Sequence, residues 1–95
     1  MEQVNRIKEV VSEYTRKNKH LIPFQIYTSK SELGHVIDIG TSIMCTKWGV
    51  GYPGGGFVQA VIDNDLDGAV GRSDSTCGEC LRFFVTLKNS LGYVN

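Results

Sequence analysis

The stretch Pro23-Phe24-Gln25-Ile26-Tyr27-Thr28-Ser29-Lys30-Ser31-Glu32-Leu33-Gly34-His35-Val36-Ile37-Asp38-Ile39 decides the fold class, because strands here separate an α+β chain from a helical one. Pro23 prevents a preceding helix from continuing. Phe24 to Thr28 alternates in a β-like way, Ser29 to Gly34 is rich in turn formers, and Val36-Ile37-Asp38-Ile39 can be the returning strand. The expectation is a small β-hairpin within an α+β, helix-dominated domain.

Working outward, Val4, Ile7, Val11 and Tyr14 recur at spacings of three and four with charges between them, which predicts an amphipathic helix over 3–18 closed by Asn18-Lys19-His20. Ile43, Met44, Lys47 and Trp48 have helical spacing and predict a short helix bracketed by Gly40, Gly49 and Gly51. From Phe57 the helical period returns, with Phe57, Val61, Ile62, Leu66, Ala69 and Val70 on one side. Gly68 and Gly71 each weaken that helix by roughly 1 kcal/mol relative to Ala. Thr76 and Glu79 stand at capping-box spacing and open a last helix whose face is Leu81, Phe84, Val85 and Lys88, with Gly92 as terminator. The order expected over a single domain, 1–95, is therefore an N-terminal helix, a hairpin and two C-terminal helices.

With 95 residues, 41% of them apolar, the chain has a modest core, and a domain this small gains from assembly, so a homo-oligomer is expected. Ten basic and ten acidic side chains cancel, which excludes broad nucleic-acid binding through excess positive charge. No apolar run has the length of a membrane span, and Met1-Glu2-Gln3 does not begin an apolar leader. With three cysteines, an odd number, these features lead to the expectation of a cytoplasmic protein without a disulfide framework.

Asp63-Asn64-Asp65-Leu66-Asp67-Gly68-Ala69-Val70-Gly71-Arg72-Ser73-Asp74 follows the order of a calcium-binding EF-hand loop, with carboxylates at positions 1, 3, 5 and 12 and glycine at 6. Position 12 is Asp where a bidentate Glu is usual, and Leu66 and Ala69 suit the buried face of a continuous helix, so a helix with an acidic outer face is favoured. Cys77-Gly78-Glu79-Cys80, with Cys45 and either His35 or His20, supplies enough zinc ligands. A second close-spaced pair is missing, however, and on a helix the cysteines are expected as small buried hydrophobes. No metal or other cofactor is expected. Neither histidine sits in a nucleophile motif and the glycine run is not a Walker loop, which argues against an enzyme.

Pro53-Gly54-Gly55-Gly56-Phe57 is the remaining distinctive feature. Consecutive glycines admit close approach of a ligand to the main chain, and a helix start aims N–H donors at it. Lys47, Trp48, Tyr52, Gly54, Gly55, Gly56, Phe57 and Gln59 together offer a cation, aromatic faces and backbone donors, the components of a nucleotide site. The same residues read equally well as core aromatics around a tight turn.

The segment from Gly51 to Asp74, GYPGGGFVQAVIDNDLDGAVGRSD, resembles a motif of small tailed-bacteriophage proteins, G-x-P-x-G-[GS]-F-x-x-A-V-x-x-N-D-L-x-x-A-x-x-R-[AS]-D, which is followed by a further helix. The resemblance covers roughly 51–88. It implies a helical segment and a non-enzymatic counter-defence protein similar to the phage anti-CBASS sponges, small oligomers that sequester cyclic oligonucleotide signals. It also implies phosphate contacts at Gly55, Gly56 and Gln59 and a stacking aromatic from Trp48 or Tyr52. The alternative from another class is a protein-binding inhibitor of a host enzyme or defence factor, and the third is a calcium-binding, EF-hand-like module.

Overall fold

The computed structural model describes residues 2–51 and 53–91. Among these there are seven α-helices and no strand: α1 (Glu2–Lys17), α2 (Phe24–Tyr27), α3 (Lys30–Trp48), α4 (Gly56–Ile62), α5 (Leu66–Arg72), α6 (Ser75–Glu79) and α7 (Leu81–Ser90). The α+β expectation is thus corrected to an all-helical fold.

The correction has a local cause. Ser29 takes an extended conformation as N-cap of α3, and its hydroxyl accepts the Glu32 N–H at 3.4 Å. Ser29-Lys30-Ser31-Glu32 is a capping-box sequence, so what reads as a turn is the start of a helix. From there Val36, Gly40, Ile43 and Met44 are buried at spacings of four, three and one, which is helical. Phe24–Tyr27 forms one helical turn after Pro23, with Ile26 buried and Phe24 78% exposed. Gly34 lies inside α3, exposed, with no atom within 4 Å of where its Cβ would be, so it interrupts nothing.

Helix α3 is the centre of the molecule and packs against α1, α2, α4, α6 and α7. At Gly40 the helix packs tightly on both α1 and α7: a Cβ there would stand 3.0 Å from Val11 and 3.1 Å from Leu87. α1 forms as expected and buries Ile7, Val11 and Thr15, the Thr15 hydroxyl donating to the Val11 carbonyl at 2.7 Å. α7 turns Phe83, Phe84, Leu87 and Lys88 inward, and Phe84 meets Phe57 edge-on with centroids 5.7 Å apart. Fully burying a Phe or Leu side chain contributes about 1.5–3 kcal/mol, so these rings anchor the C-terminal half on α3.

The helix expected from Phe57 onward is broken. Asn64 adopts φ 60°, and Asp65 caps a new helix by accepting the Gly68 N–H at 3.0 Å. The left-handed residue redirects α5, so Leu66 and Val70, expected in the core, are 59% and 57% exposed, while Ala69 stays buried. The last helix is also divided at Cys80, and the cap of α6 is Asp74 rather than Thr76.

Candidate functional site

α3 ends at Gly49, whose φ of 69° and N–H bond to the Thr46 carbonyl, with the Val50 N–H on the Cys45 carbonyl, satisfy the last carbonyls of the helix. The chain then returns along α3 as the glycine run. The Gly54 N–H donates to the Thr46 hydroxyl at 2.9 Å, and the Gln59 side-chain amide donates to the Gly54 carbonyl at 3.4 Å. A Cβ on Gly54 would stand 2.5 Å from Val58 and 2.6 Å from the Ser42 hydroxyl, so glycine here is a packing requirement. Gly55 and Gly56 are different: both are exposed, and around Gly55 nothing lies within 4 Å of a Cβ.

The expected ligand residues separate into three groups. Phe57 is in the core, and Trp48 is half-buried against it. Lys47 is turned away from the loop, its ammonium donating to the Lys88 carbonyl near the end of α7. Gly54, Gly55, Gly56 and Gln59 stay together, whereas Tyr52 lies outside the described residues.

The cation beside the loop is Arg72, which the sequence reading passed over. Its side chain runs across Gly56, with Cδ 2.8 Å from the position a Gly56 Cβ would take and Nε 3.3 Å from it. Gly56, Gln59, Ala60, Asp63, Asp65 and Arg72 line a shallow cavity of about 220 Å³. The Arg72 side chain is exposed and makes no ion pair or hydrogen bond among the described residues, although its Nη1 and Asp65 Oδ2 both flank the position of a Gly68 Cβ, the former at 2.7 Å. Two carboxylates share the rim, so the cavity presents a planar donor fork beside hydrogen-bond acceptors. The signal for Arg72 in the sequence was its place at the end of the motif, but its approach to Gly56 depends on the break at Asn64.

The acidic stretch shows no calcium geometry: Asp63, Asp65 and Asp67 are exposed, and Asp65 is occupied as a cap. Among the described residues the three metal-ligating side chains that converge are His35, Asp74 and Cys77. Cys45, Cys77 and Cys80 are buried free thiols, as expected of small hydrophobes. No helix among the described residues is long and apolar enough to cross a membrane.

No family profile, curated protein or solved structure matches the chain.

Proposed function

We propose that this chain is a non-enzymatic binding protein that sequesters a nucleotide, most concretely the cyclic oligonucleotide that the phage-motif resemblance implies, over Gly55, Gly56 and Arg72. The observation that carries the reading is an exposed Arg72 side chain laid across the exposed Gly56 at the start of α4. Arginine pairs with phosphate oxygens in a bidentate fashion, and Asp63 supplies an acceptor for an N–H group of a base. About 220 Å³ is less than the roughly 300–1,000 Å³ of a complete small-molecule site. A cyclic dinucleotide would therefore use the surface of a second copy, in line with the homo-oligomer that the chain's small size favours.

The test is a thermal-shift and calorimetric panel of cyclic di- and trinucleotides, mononucleotides and inorganic phosphate, because a ligand that binds the folded state alone raises its stability. Arg72→Ala should weaken binding about 10- to 100-fold, the loss of a charged hydrogen-bonding group worth about 1.5–3 kcal/mol. Arg82→Ala, on exposed α7 surface, should leave it unchanged. Equal binding by the Arg72 variant would sink the site.

One observation favours the protein-binding alternative. Leu66 and Val70 expose more than half their surface on α5, beside an apolar groove bordered by Val61, Ala69, Leu81 and Val85. That reading expects a flat response across the same panel, and a rise of several degrees with any nucleotide would refute it.

A further inference from the structure

Cys77 and His35 are 42 residues apart in sequence, yet the Cys77 sulfur lies 3.7 Å from His35 Nε2. The same nitrogen is 2.9 Å from Asp74 Oδ2, and the three ligand atoms all lie within 4.8 Å of one another. We propose that His35, Asp74 and Cys77 form a binding site for a divalent transition metal of the zinc type, with water completing a tetrahedron.

The geometry favours a metal over a proton relay. A relay needs its nucleophile and its carboxylate on opposite ring nitrogens of the histidine. Here both face Nε2, so the three side chains point at one place. Around a tetrahedral zinc, with Zn–N near 2.0 Å and Zn–S near 2.3 Å, ligand atoms stand about 3.4 Å (N to O) and about 3.6 Å (N to S) apart. The observed 3.7 Å already fits, and the 2.9 Å contact must open by about half an ångström. His35 and Asp74 have half-exposed side chains, which gives the ion an entry path and the fourth ligand a place in solvent.

The site is built from both sides. Asp74 Oδ1 accepts the Cys77 N–H at 2.7 Å as the cap of α6, which fixes carboxylate and thiol relative to each other and leaves Oδ2 facing His35. Glu32, one turn before His35 on α3, accepts the Thr76 hydroxyl at 3.3 Å and holds α6 against α3. The bond from the Cys77 N–H to Asp74 is an outer contact of the kind that orients metal ligands. A thiolate, an imidazole and a carboxylate suit zinc or cobalt and do not suit magnesium or calcium. On binding, the Cys77 S–H bond is exchanged for a sulfur–metal bond and the proton goes to solvent, so thiolate and carboxylate balance the two positive charges of the ion. Without a metal, burial first and then Asp74 push the Cys77 thiol up to about 12, so the group is inert as a nucleophile.

Cobalt titration of the full chain tests the site. Expected are the visible bands of tetrahedral cobalt together with a sulfur-to-cobalt charge-transfer band, displacement of cobalt by zinc, and no response to magnesium. Zinc at 100 times its dissociation constant should raise the folded-to-unfolded ratio about 100-fold. Cys77→Ser should remove the charge-transfer band and His35→Gln should weaken binding at least tenfold, whereas Cys45→Ser should retain both. His35 is half-exposed, so its variant keeps the test valid even if Cys77→Ser does not fold. Cobalt bound without the charge-transfer band, or a spectrum and affinity unchanged in His35→Gln, would overturn the assignment.

Discussion

The three glycines of the loop should respond in three different ways to the same substitution. Gly54→Ala places a Cβ 2.5 Å from Val58 Cγ1 and 2.6 Å from both Val58 Cβ and Ser42 Oγ. Carbon atoms in contact sit about 3.5–4.0 Å apart, so the loop must move by about 1 Å away from both Val58 on α4 and Ser42 on α3. Overpacking of this kind costs about 1–3 kcal/mol. Moving the loop also weakens the Gly54 N–H bond to Thr46, worth about 0.5–1.5 kcal/mol. The sum, about 1.5–4.5 kcal/mol, lowers the Tm of a domain this size by about 6 °C or more.

Gly55→Ala meets nothing within 4 Å, and its φ of −74° is open to any residue. It should change stability by no more than about 1 kcal/mol, because the gain from restricting the unfolded chain is offset by alanine being a poorer N-cap of α4. Gly56→Ala meets only the flexible Arg72 side chain at 2.8 Å, so it should be nearly neutral in stability while displacing the guanidinium and weakening nucleotide binding as Arg72→Ala does. Urea unfolding followed by far-ultraviolet circular dichroism, with calorimetry on the same samples, measures both quantities. The reasoning fails if Gly54→Ala lies within about 0.5 kcal/mol of the parent, the ordinary range of a surface change, or if Gly55→Ala destabilises as much as Gly54→Ala.

Two other groups give independent tests. Lys88 is buried, with its ammonium donating to the Val61 carbonyl at 3.1 Å and to the Asn64 side chain, so Lys88→Met should destabilise by about 1–3 kcal/mol in urea, and a neutral result would show that these bonds contribute nothing net. Burial, followed by the charges of Glu79, Glu32 and Asp74, pushes the Cys80 thiol from 9.0 to about 11. At ~pH 8 its thiolate fraction is then roughly 100-fold lower than that of an unshifted thiol, so alkylation of the folded chain followed by mass spectrometry should be slower by at least that factor, and equal rates in folded and unfolded chains would refute it.

What was legible in the sequence follows from the range of the interactions concerned. α1 could be read because its core residues Ile7 and Val11 sit at helical spacing and its ends are marked by nearby residues. The hairpin was misread because alternation over Phe24 to Thr28 and a glycine at 34 outweighed the Ser29–Glu32 capping box, although that box was there to be found. Leu66 and Val70 kept the right period but belong to a helix that starts afresh after Asn64, and a left-handed Asn is a single-residue event that periodicity does not detect. Arg72 beside Gly56 and His35 beside Cys77 are tertiary meetings, set by how α5 and α6 fold back on the chain, and no local pattern announces them.

Many of the motif residues have structural roles in the fold itself. Phe57, Ala60, Val61 and Ala69 are core, Asn64 turns the chain and accepts Lys88, and Asp65 and Asp74 cap helices. Each of these would be needed whatever the protein binds, so none of them favours a ligand. Gly55, Gly56, Leu66 and Arg72 are among those left over: two glycines whose backbone conformations do not demand glycine, an exposed leucine and an exposed guanidinium. A residue type that neither packing nor backbone geometry requires is best explained by something outside the chain that needs the space and the charge. Nucleotide sequestration is therefore to be tested at Gly55, Gly56 and Arg72, and the protein-binding alternative at Leu66.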